Sequence, residues 1–212
     1  MNGFFVRSYP LVIVQLYSFD CDRVGEIILS MNFLRTLRRR RRRRRTDPMV
    51  LLVLYVKAEF ENIASIEFPS PDYHYCFDVK DAQSDEERKG VFVCQSDVVE
   101  LENSRGEANF VMKFPDSKKQ ASVVFTDVKG LTTKGVVDKS GEWVPVMGFE
   151  CRGLEPTAFY PTKGVTIKSE GGTVWKDVDL SEDPDGWFEY CENAGDSVGV
   201  TEFAYEFRKQ KA

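Results

Sequence analysis

The sequence predicts an all-β fold of two similar small units, sandwich-like or barrel-like, with little helix and a disordered N-terminal extension. Short apolar runs rich in β-branched and aromatic residues recur from Val50 onward. Gly, Pro and Asp separate these runs frequently, which is typical of sheets that form sandwiches or barrels. A stretch rich in Gly, Thr, Lys and Asp, residues 130–141, divides this part into similar halves. We therefore predict a basic extension over 1–48, a first domain over 49–130 and a second over 141–212.

Residues 1–48 differ from the rest of the chain in charge. They hold 11 Arg against 4 Asp and Glu, a net +7, whereas residues 49–212 hold 18 Lys and Arg against 30 Asp and Glu, a net −12. Nucleic acid and anionic membranes repel an acidic body, so we expect it to bind neither. The apolar run over 9–19 is shorter than the roughly 20 residues of a membrane helix, and its flanks are poor for a signal peptide.

Eight consecutive arginines occupy positions 38–45. They are interpreted as a nuclear-localisation tract, as a nucleic-acid arm, or as the product of a simple repeat in the gene, with the true start at Met49. Like charges repel, so the tract is predicted to be disordered in each case. The cysteines number five and suggest no disulfide framework. We therefore predict a cytoplasmic protein, with the nucleus as a second location.

The predicted strands follow from local composition. The run VLLVLYVKAEF over 50–60 is β-branched and aromatic, and 91–94 is a shorter run of the same kind. The runs over 109–114 and 121–125 flank Pro115-Asp116, which favours a type I turn, so they are predicted to form a hairpin. Further strands are predicted over 144–151, 164–168 and 199–208.

In the last predicted strand, side chains alternate between two faces. One face is expected to carry Val200, Glu202, Ala204, Glu206 and Arg208, and the other Thr201, Phe203, Tyr205 and Phe207. Such alternation is typical of a half-buried strand. By contrast, residues 81–89 are polar apart from Ala82, which indicates a loop or a single surface turn.

Two cysteine patterns are candidates for chemistry. Arg152 beside Cys151 would lower a thiol pKa, but no base is placed to assist, so we favour a structural role in which Arg152 pairs with Glu155 or Glu150. His74 and Cys76 would share one face of a strand, with Cys94 as a third weak candidate for a metal ligand. His74 is the single histidine of the chain, which excludes most histidine-based schemes.

An acidic segment lies near the C-terminus. Residues 177–192 carry seven acids and no basic residue, and their spacing fails the calcium-loop pattern because Glu182 and Phe188 stand at its sixth and twelfth positions. A solvated acidic loop is predicted. Trp175, Trp187 and Tyr190 are expected to anchor it, and the alternative is a docking patch for a basic partner.

The octamer FECRGLEP resembles the signature segment of the CXXC-motif-containing zinc-binding protein family. It comprises Phe149, Glu150, Cys151, Arg152, Gly153, Leu154, Glu155 and Pro156. Other segments that resemble the family follow in order, at 57–63, 105–108, 177–180, 187–190 and 197–200. The resemblance covers residues 50–210 and implies a small eukaryotic intracellular protein of two similar β domains, whose biochemical role is poorly defined.

The chain departs from this family at its metal site. The resemblance implies two C-x-x-C pairs, which would give zinc four thiolates in a closed tetrahedron. The first pair falls at Lys80 and Gln83, and the second at Phe114 and Ser117. None of these four residues is Cys or His, so zinc is predicted to be absent and no other cofactor is expected.

Two functions follow from the sequence. The favoured one is a non-catalytic protein-interaction module that has lost its zinc site and binds an unidentified protein partner. The alternative is a structural zinc protein with substitute ligands among His74, Cys76 and Cys94. The sequence contains no P-loop, no dinucleotide-binding fingerprint and no G-x-S-x-G motif, and we expect no enzyme activity.

Overall fold

Fifteen strands and no helix make up residues 49–102 and 105–210, the part of the chain that the computed structural model describes. The all-β prediction is confirmed. The strands are β1 (Val50–Glu61), β2 (Ile63–Glu67), β3 (His74–Asp81), β4 (Glu87–Cys94), β5 (Val99–Glu100), β6 (Glu107–Ala108), β7 (Phe110–Met112), β8 (Ala121–Thr126), β9 (Val136–Val137), β10 (Val144–Arg152), β11 (Leu154–Tyr160), β12 (Val165–Ser169), β13 (Val174–Val178), β14 (Trp187–Cys191) and β15 (Asp196–Gln210). The predicted extension over 1–48 lies outside the described residues.

Four sheets are formed, the largest in the order β14-β15-β1-β10-β8-β7. The others run β11-β3-β4, β13-β12-β2-β9 and β5-β6. The predicted hairpin is present, because β7 and β8 pair antiparallel and Ser117 N–H donates to Phe114 O at 3.0 Å across Pro115-Asp116. No described residue belongs to a helix long and apolar enough to cross a membrane.

The sheet order repeats around the antiparallel pair of β1 and β10. On one side of this pair lie β15 and β14, and on the other lie β8 and β7. The strand β1 continues through Asn62 (φ 55°) into β2, which joins the β12-β13 hairpin. Likewise β10 continues through Gly153 (φ 71°) into β11, which joins the β3-β4 hairpin. The two halves of the sequence thus have the same topology. In each half, one strand pairs with a hairpin of the other half: β2 pairs with β12, and β11 pairs with β3.

This exchange corrects the predicted domain boundaries. The domains expected over 49–130 and 141–212 do not form separate bodies, because β1 pairs with both β10 and β15 and Asp47–Ala212 is one compact unit. The stretch 130–141 is not a free linker either. It contains β9, whose buried Val137 pairs with Ile66. Local composition reports turn residues but not which distant strand a segment joins.

An aromatic cluster joins the three-stranded sheet to the six-stranded sheet. The ring of Phe77 on β3 lies 5.2 Å from that of Phe149 on β10 and 5.7 Å from that of Phe207 on β15. Phe159 on β11 lies 5.8 Å from the same ring. Most of these contacts are edge to face, the arrangement that the ring quadrupoles favour.

A β-bulge changes the predicted faces of β15. Thr201 pairs with Glu59 and Ala204 with Lys57, so two residues, Glu202 and Phe203, oppose Ala58. Glu202 takes a left-handed conformation there, with φ 49°. The strict alternation predicted for 199–208 is therefore wrong, because the extra residue shifts every later side chain to the other face. Buried Val200 and the core-packed Phe203 and Phe207 now lie on the same side.

The polar stretch 81–89 was expected to be a loop or turn, and this is only partly right. Asp81 ends β3, and the strand β4 already begins at Glu87. Because β4 is the edge of its sheet, its first four residues are all exposed and can be polar. Composition alone does not separate such an exposed edge strand from a loop.

Candidate functional site

The acidic loop, defined here as residues 179–185 between β13 and β14, is held at both ends. Leu180 is buried, and its N–H donates to Pro161 O at 2.9 Å. At the other end, Pro184 lies in a turn closed by a bond from Gly186 N–H to Asp183 O at 3.3 Å. Gly186 has φ 119°, and a Cβ there would lie 2.5 Å from Val200 O. The loop is therefore held in a defined conformation, and its contact with β15 requires glycine at position 186.

Beside the loop, two tryptophans pack against each other and against the core. Trp175 on β13 and Trp187 on β14 are half-buried, with ring centroids 5.4 Å apart. The sequence analysis expected both tryptophans to anchor the acidic loop. Tyr190, grouped with them in the sequence analysis, is instead 60% exposed.

Phe188 belongs to this surface, although the sequence analysis did not single it out. Its side chain is 55% exposed, and a Cβ built at the opposite Gly199 would lie 2.8 Å from its ring. Phe188 and Tyr190 share one face of β14, at the edge of the six-stranded sheet. The sequence signal was the alternation in 187–190 with aromatic residues on both faces.

A cleft surrounds the acidic loop. A cavity of about 230 Å³ lies between the loop and the start of β15, and a second of about 500 Å³ opens beside Phe188. Both cavities are lined by Leu180, Asp183, Gly186 and Trp187, so they adjoin. The first is also lined by aromatic and acidic residues of β11 and β15, namely Phe159, Tyr160, Glu202, Phe203 and Tyr205. This cleft combines aromatic walls with carboxylates.

The negative charge of this region is not neutralised locally. None of the seven acidic side chains in 177–192 forms an ion pair with a described residue. Elsewhere Glu155 pairs with Lys209 at 2.8 Å and Glu206 with Arg208 at 2.9 Å. A surface of one sign that lacks counter-charges attracts cations.

The four positions at which the family resemblance implies zinc ligands lie on two hairpins. Lys80 and Gln83 lie at the end of the β3-β4 hairpin, and Phe114 and Ser117 belong to the β7-β8 turn. Both hairpins reach the corner at Gly153, since Ala82 N–H donates to Gly153 O at 3.2 Å and a Cβ at Gly153 would lie 3.4 Å from Ala121 Cα.

The chemistry at these four positions differs from that of a zinc site. Lys80 Nζ pairs with Asp85 at 2.7 Å, and this bond and charge hold the pKa of Asp85 below its ordinary value. Phe114 is buried in the core. Lysine, glutamine, phenylalanine and serine offer neither thiolate nor imidazole, so the residues present do not fit a tetrahedral zinc site.

The candidate substitute ligands are neighbours on β3 and β4 but form no cluster. His74 pairs with Cys94 across the strands, and Cys76 pairs with Phe92. Cys94 Sγ lies 3.4 Å from Pro71 O and 3.1 Å from Ser96 Oγ. Burial raises the pKa of Cys76, and Asp78 raises it further. Within residues 49–102 and 105–210, no three His, Cys, Asp or Glu side chains are placed to hold a metal ion.

The FECRGLEP octamer forms the corner between β10 and β11. Phe149, Cys151, Leu154 and Pro156 are buried, and Gly153 supplies the left-handed turn. Burial first and Glu155 second raise the pKa of Cys151 to about 12, so this thiol carries very little thiolate at neutral pH. The expected pairing of Arg152 with Glu155 or Glu150 is wrong. Glu155 pairs with Lys209, and an Arg152 guanidinium nitrogen lies 3.6 Å from Met49 Sδ.

A family model described as "CXXC motif containing zinc binding protein, eukaryotic" matches residues 53–208. The chain belongs to this family. Over 167 residues it is 35% identical to "UPF0587 protein CG4646" of Drosophila melanogaster, covering 77% of this chain and 99% of that one. It is 30% identical over 161 residues to the Homo sapiens CXXC motif containing zinc binding protein, covering 74% and 98% of the two chains.

Two solved structures share the fold of this family member. A hypothetical protein from Plasmodium falciparum matches with a TM-score of 0.66 and 29% identity, covering 74% of this chain and 99% of that one. The structure of C1orf123 matches with a TM-score of 0.66 and 28% identity, covering 76% and 99%. The present member of the CXXC family nevertheless has no C-x-x-C pair among its five cysteines.

Proposed function

We propose that this protein is a non-catalytic, intracellular interaction module that binds another protein and has lost the zinc site named in its relatives. The contact surface is the acidic aromatic face, defined as Glu182, Asp183, Trp187, Phe188 and Tyr190. The observation that carries the proposal is the exposure of Phe188 (55%) and Tyr190 (60%) beside acids that have no described ion-pair partner. Exposed aromatic side chains within a polar rim are typical of protein interfaces.

The pKa pattern supports a non-catalytic role. The strongest shifts fall on Tyr73, Tyr75 and Cys151, and in each the first cause is burial, which raises the pKa. All three side chains lie in the core. Catalytic groups with shifted pKa values usually face a cleft that substrate can enter. The cleft described above instead offers aromatic rings and carboxylates, a set suited to binding.

A structural zinc protein with substitute ligands is the second candidate. The names of the mouse, bovine and human relatives include zinc binding, and here His74 lies opposite Cys94 on adjacent strands. A cross-strand His-Cys pair could supply two ligands. Metal analysis of the purified chain separates the two candidates, because the interaction module carries no stoichiometric zinc.

The proposed function is tested by affinity capture with the full chain. One variant reverses three exposed loop charges, Glu182→Lys, Asp183→Lys and Asp185→Lys. A control variant reverses three exposed acids elsewhere, Asp72→Lys, Asp116→Lys and Asp138→Lys, and so has the same net charge. We expect a specific partner to be retained by the wild type and the control and lost by the loop variant. Equal retention by all three proteins contradicts the proposal.

A further inference from the structure

We propose that the cleft around the acidic loop binds an arginine side chain from an extended segment of the partner protein. This inference rests on the proposed function and specifies what the acidic aromatic face recognises. The cleft walls include the aromatic residues Trp187 and Tyr205, and its carboxylates include Asp183 and Glu202. Aromatic faces and carboxylates together form a favourable site for a guanidinium group, which can stack on the rings and donate paired hydrogen bonds to a carboxylate.

The same combination already binds an arginine elsewhere in this protein. The Arg208 guanidinium lies 4.2 Å from the ring centroid of Tyr55 and 5.5 Å from that of Trp143. Its nitrogens Nε and Nη2 donate to Glu206 Oε2 at 3.0 and 2.9 Å. The cleft presents equivalent groups, but no described cation forms an ion pair with its carboxylates. Charge complementarity therefore favours a cationic occupant.

Glu202 contributes to the cleft through the β15 bulge. It is the extra residue opposite Ala58, with φ 49°, and it lines the cavity together with Phe203 and Tyr205. Bulges redirect side chains that a regular strand would place on the other face. The nearby basic residues of β15 are already engaged, since Arg208 pairs with Glu206 and Lys209 with Glu155. They are therefore not the cations that balance Glu202.

Arginine suits this cleft better than lysine. The guanidinium group is planar, stacks on aromatic rings and loses less hydration than an ammonium group. An extended segment is the natural carrier, because the acidic loop and β14 leave the cleft open beside the exposed edge strand. A helix or a folded domain would have to approach past the exposed Phe188.

The proposal is tested by titrating the full chain with a short Gly-Ser peptide that carries two arginines. The matched control peptide carries citrulline, which keeps the shape and removes the charge. The readouts are the indole N–H signal of Trp187 in NMR spectra and the heat of binding, both at low ionic strength, where screening is weak. We expect saturable binding of the arginine peptide, a shift of the Trp187 signal, and no saturable binding of the citrulline peptide.

Two double variants complete the test. The variant Asp183→Asn with Glu202→Gln is expected to lower the affinity for the arginine peptide by about tenfold or more, because it removes two close charged partners. Asp116→Asn with Asp138→Asn removes the same charge outside the cleft and is expected to change the affinity by less than about twofold. Near-ultraviolet circular dichroism confirms that each variant is folded.

Three outcomes overturn the inference. These are equal binding of the citrulline peptide, equal weakening by both double variants, and no saturable binding of the arginine peptide. If capture of the partner depends on the loop while the peptide fails, the arginine inference falls and the proposed function stands. If capture does not depend on the loop, the proposed function falls whatever the peptide does.

Discussion

The indole rings of Trp175 and Trp187 meet edge to face, with centroids 5.4 Å apart and planes inclined by 72°. Both are half-buried and pack against the core, so they tie β13 and β14 to the sheets beneath. Trp187→Ala is expected to lower the free energy of unfolding by about 2–3 kcal/mol, less than a fully buried tryptophan would cost. Urea unfolding measures the change.

Trp143→Ala is the control for that substitution. Trp143 is 39% exposed, and its ring lies 5.5 Å from the Arg208 guanidinium. Because such an exposed cation–π contact contributes little, we expect its removal to lower the free energy of unfolding by about 1 kcal/mol or less. If Trp187→Ala is fully stable and yet fails to retain the partner, Trp187 serves the contact surface alone and does not anchor the fold.

Replacement of Gly186, which directly follows the acidic loop, is expected to destabilise the protein. In Gly186→Ala the new Cβ would lie 2.5 Å from Val200 O, and the backbone has φ 119°. The loss of stability should exceed about 1 kcal/mol, the ordinary penalty of an incompatible backbone. Gly172→Ala is the matched control, since Gly172 also has a positive φ but no atom within 4 Å. Equal melting temperatures for the two variants would contradict the observed contact.

Cys151 is expected to resist alkylation in the native protein. Burial raises its pKa to about 12, so the thiol is almost entirely protonated at pH 8, and only a thiolate reacts readily. Native protein treated with iodoacetamide at pH 8 and analysed by peptide mapping should leave Cys151 unmodified, whereas urea-unfolded protein should be labelled. Rapid native labelling would show that the octamer corner opens.

The ion pair of Lys80 and Asp85 should respond to acid. The hydrogen bond from Lys80 is the first cause of the lowered pKa of Asp85, so the pair's contribution is present above the ordinary carboxyl pKa. It is lost as the pH falls through the lower, folded-state value. Carboxyl ¹³C NMR should show Asp85 titrating below its ordinary range, and Lys80→Met should return it to that range. Lys89→Met, the control, should leave Asp85 unchanged.

Purified protein is expected to contain no stoichiometric zinc, and its melting temperature should not change with chelator. The reason is the donor set at positions 80, 83, 114 and 117, which offers no thiolate or imidazole. Native mass spectrometry measures the metal content directly. One zinc per chain, lost in Cys76→Ser or Cys94→Ser, would establish the second candidate function instead.

Much of the candidate surface was visible in the sequence, but its arrangement was not. The acids of 177–192 and the tryptophans that flank them could be read directly. The exposure of Phe188 and Tyr190 could not, because alternation along β14 does not reveal which face is covered. Glu202 was assigned by strict alternation, which fails at a bulge set by pairing with β1.

The sequence by itself determined the all-β class, the family and the residue types at the four positions where the resemblance implies zinc ligands. These follow from local composition, from motif order and from residue identity, none of which needs a fold. Only the tertiary structure decided that the two halves exchange β2 and β11, and that Cys151 is buried beyond reach of solvent. Pairing and burial depend on contacts between residues far apart in the chain. The cleft follows from the same cause, since β11, the acidic loop and β15 meet there through long-range pairing.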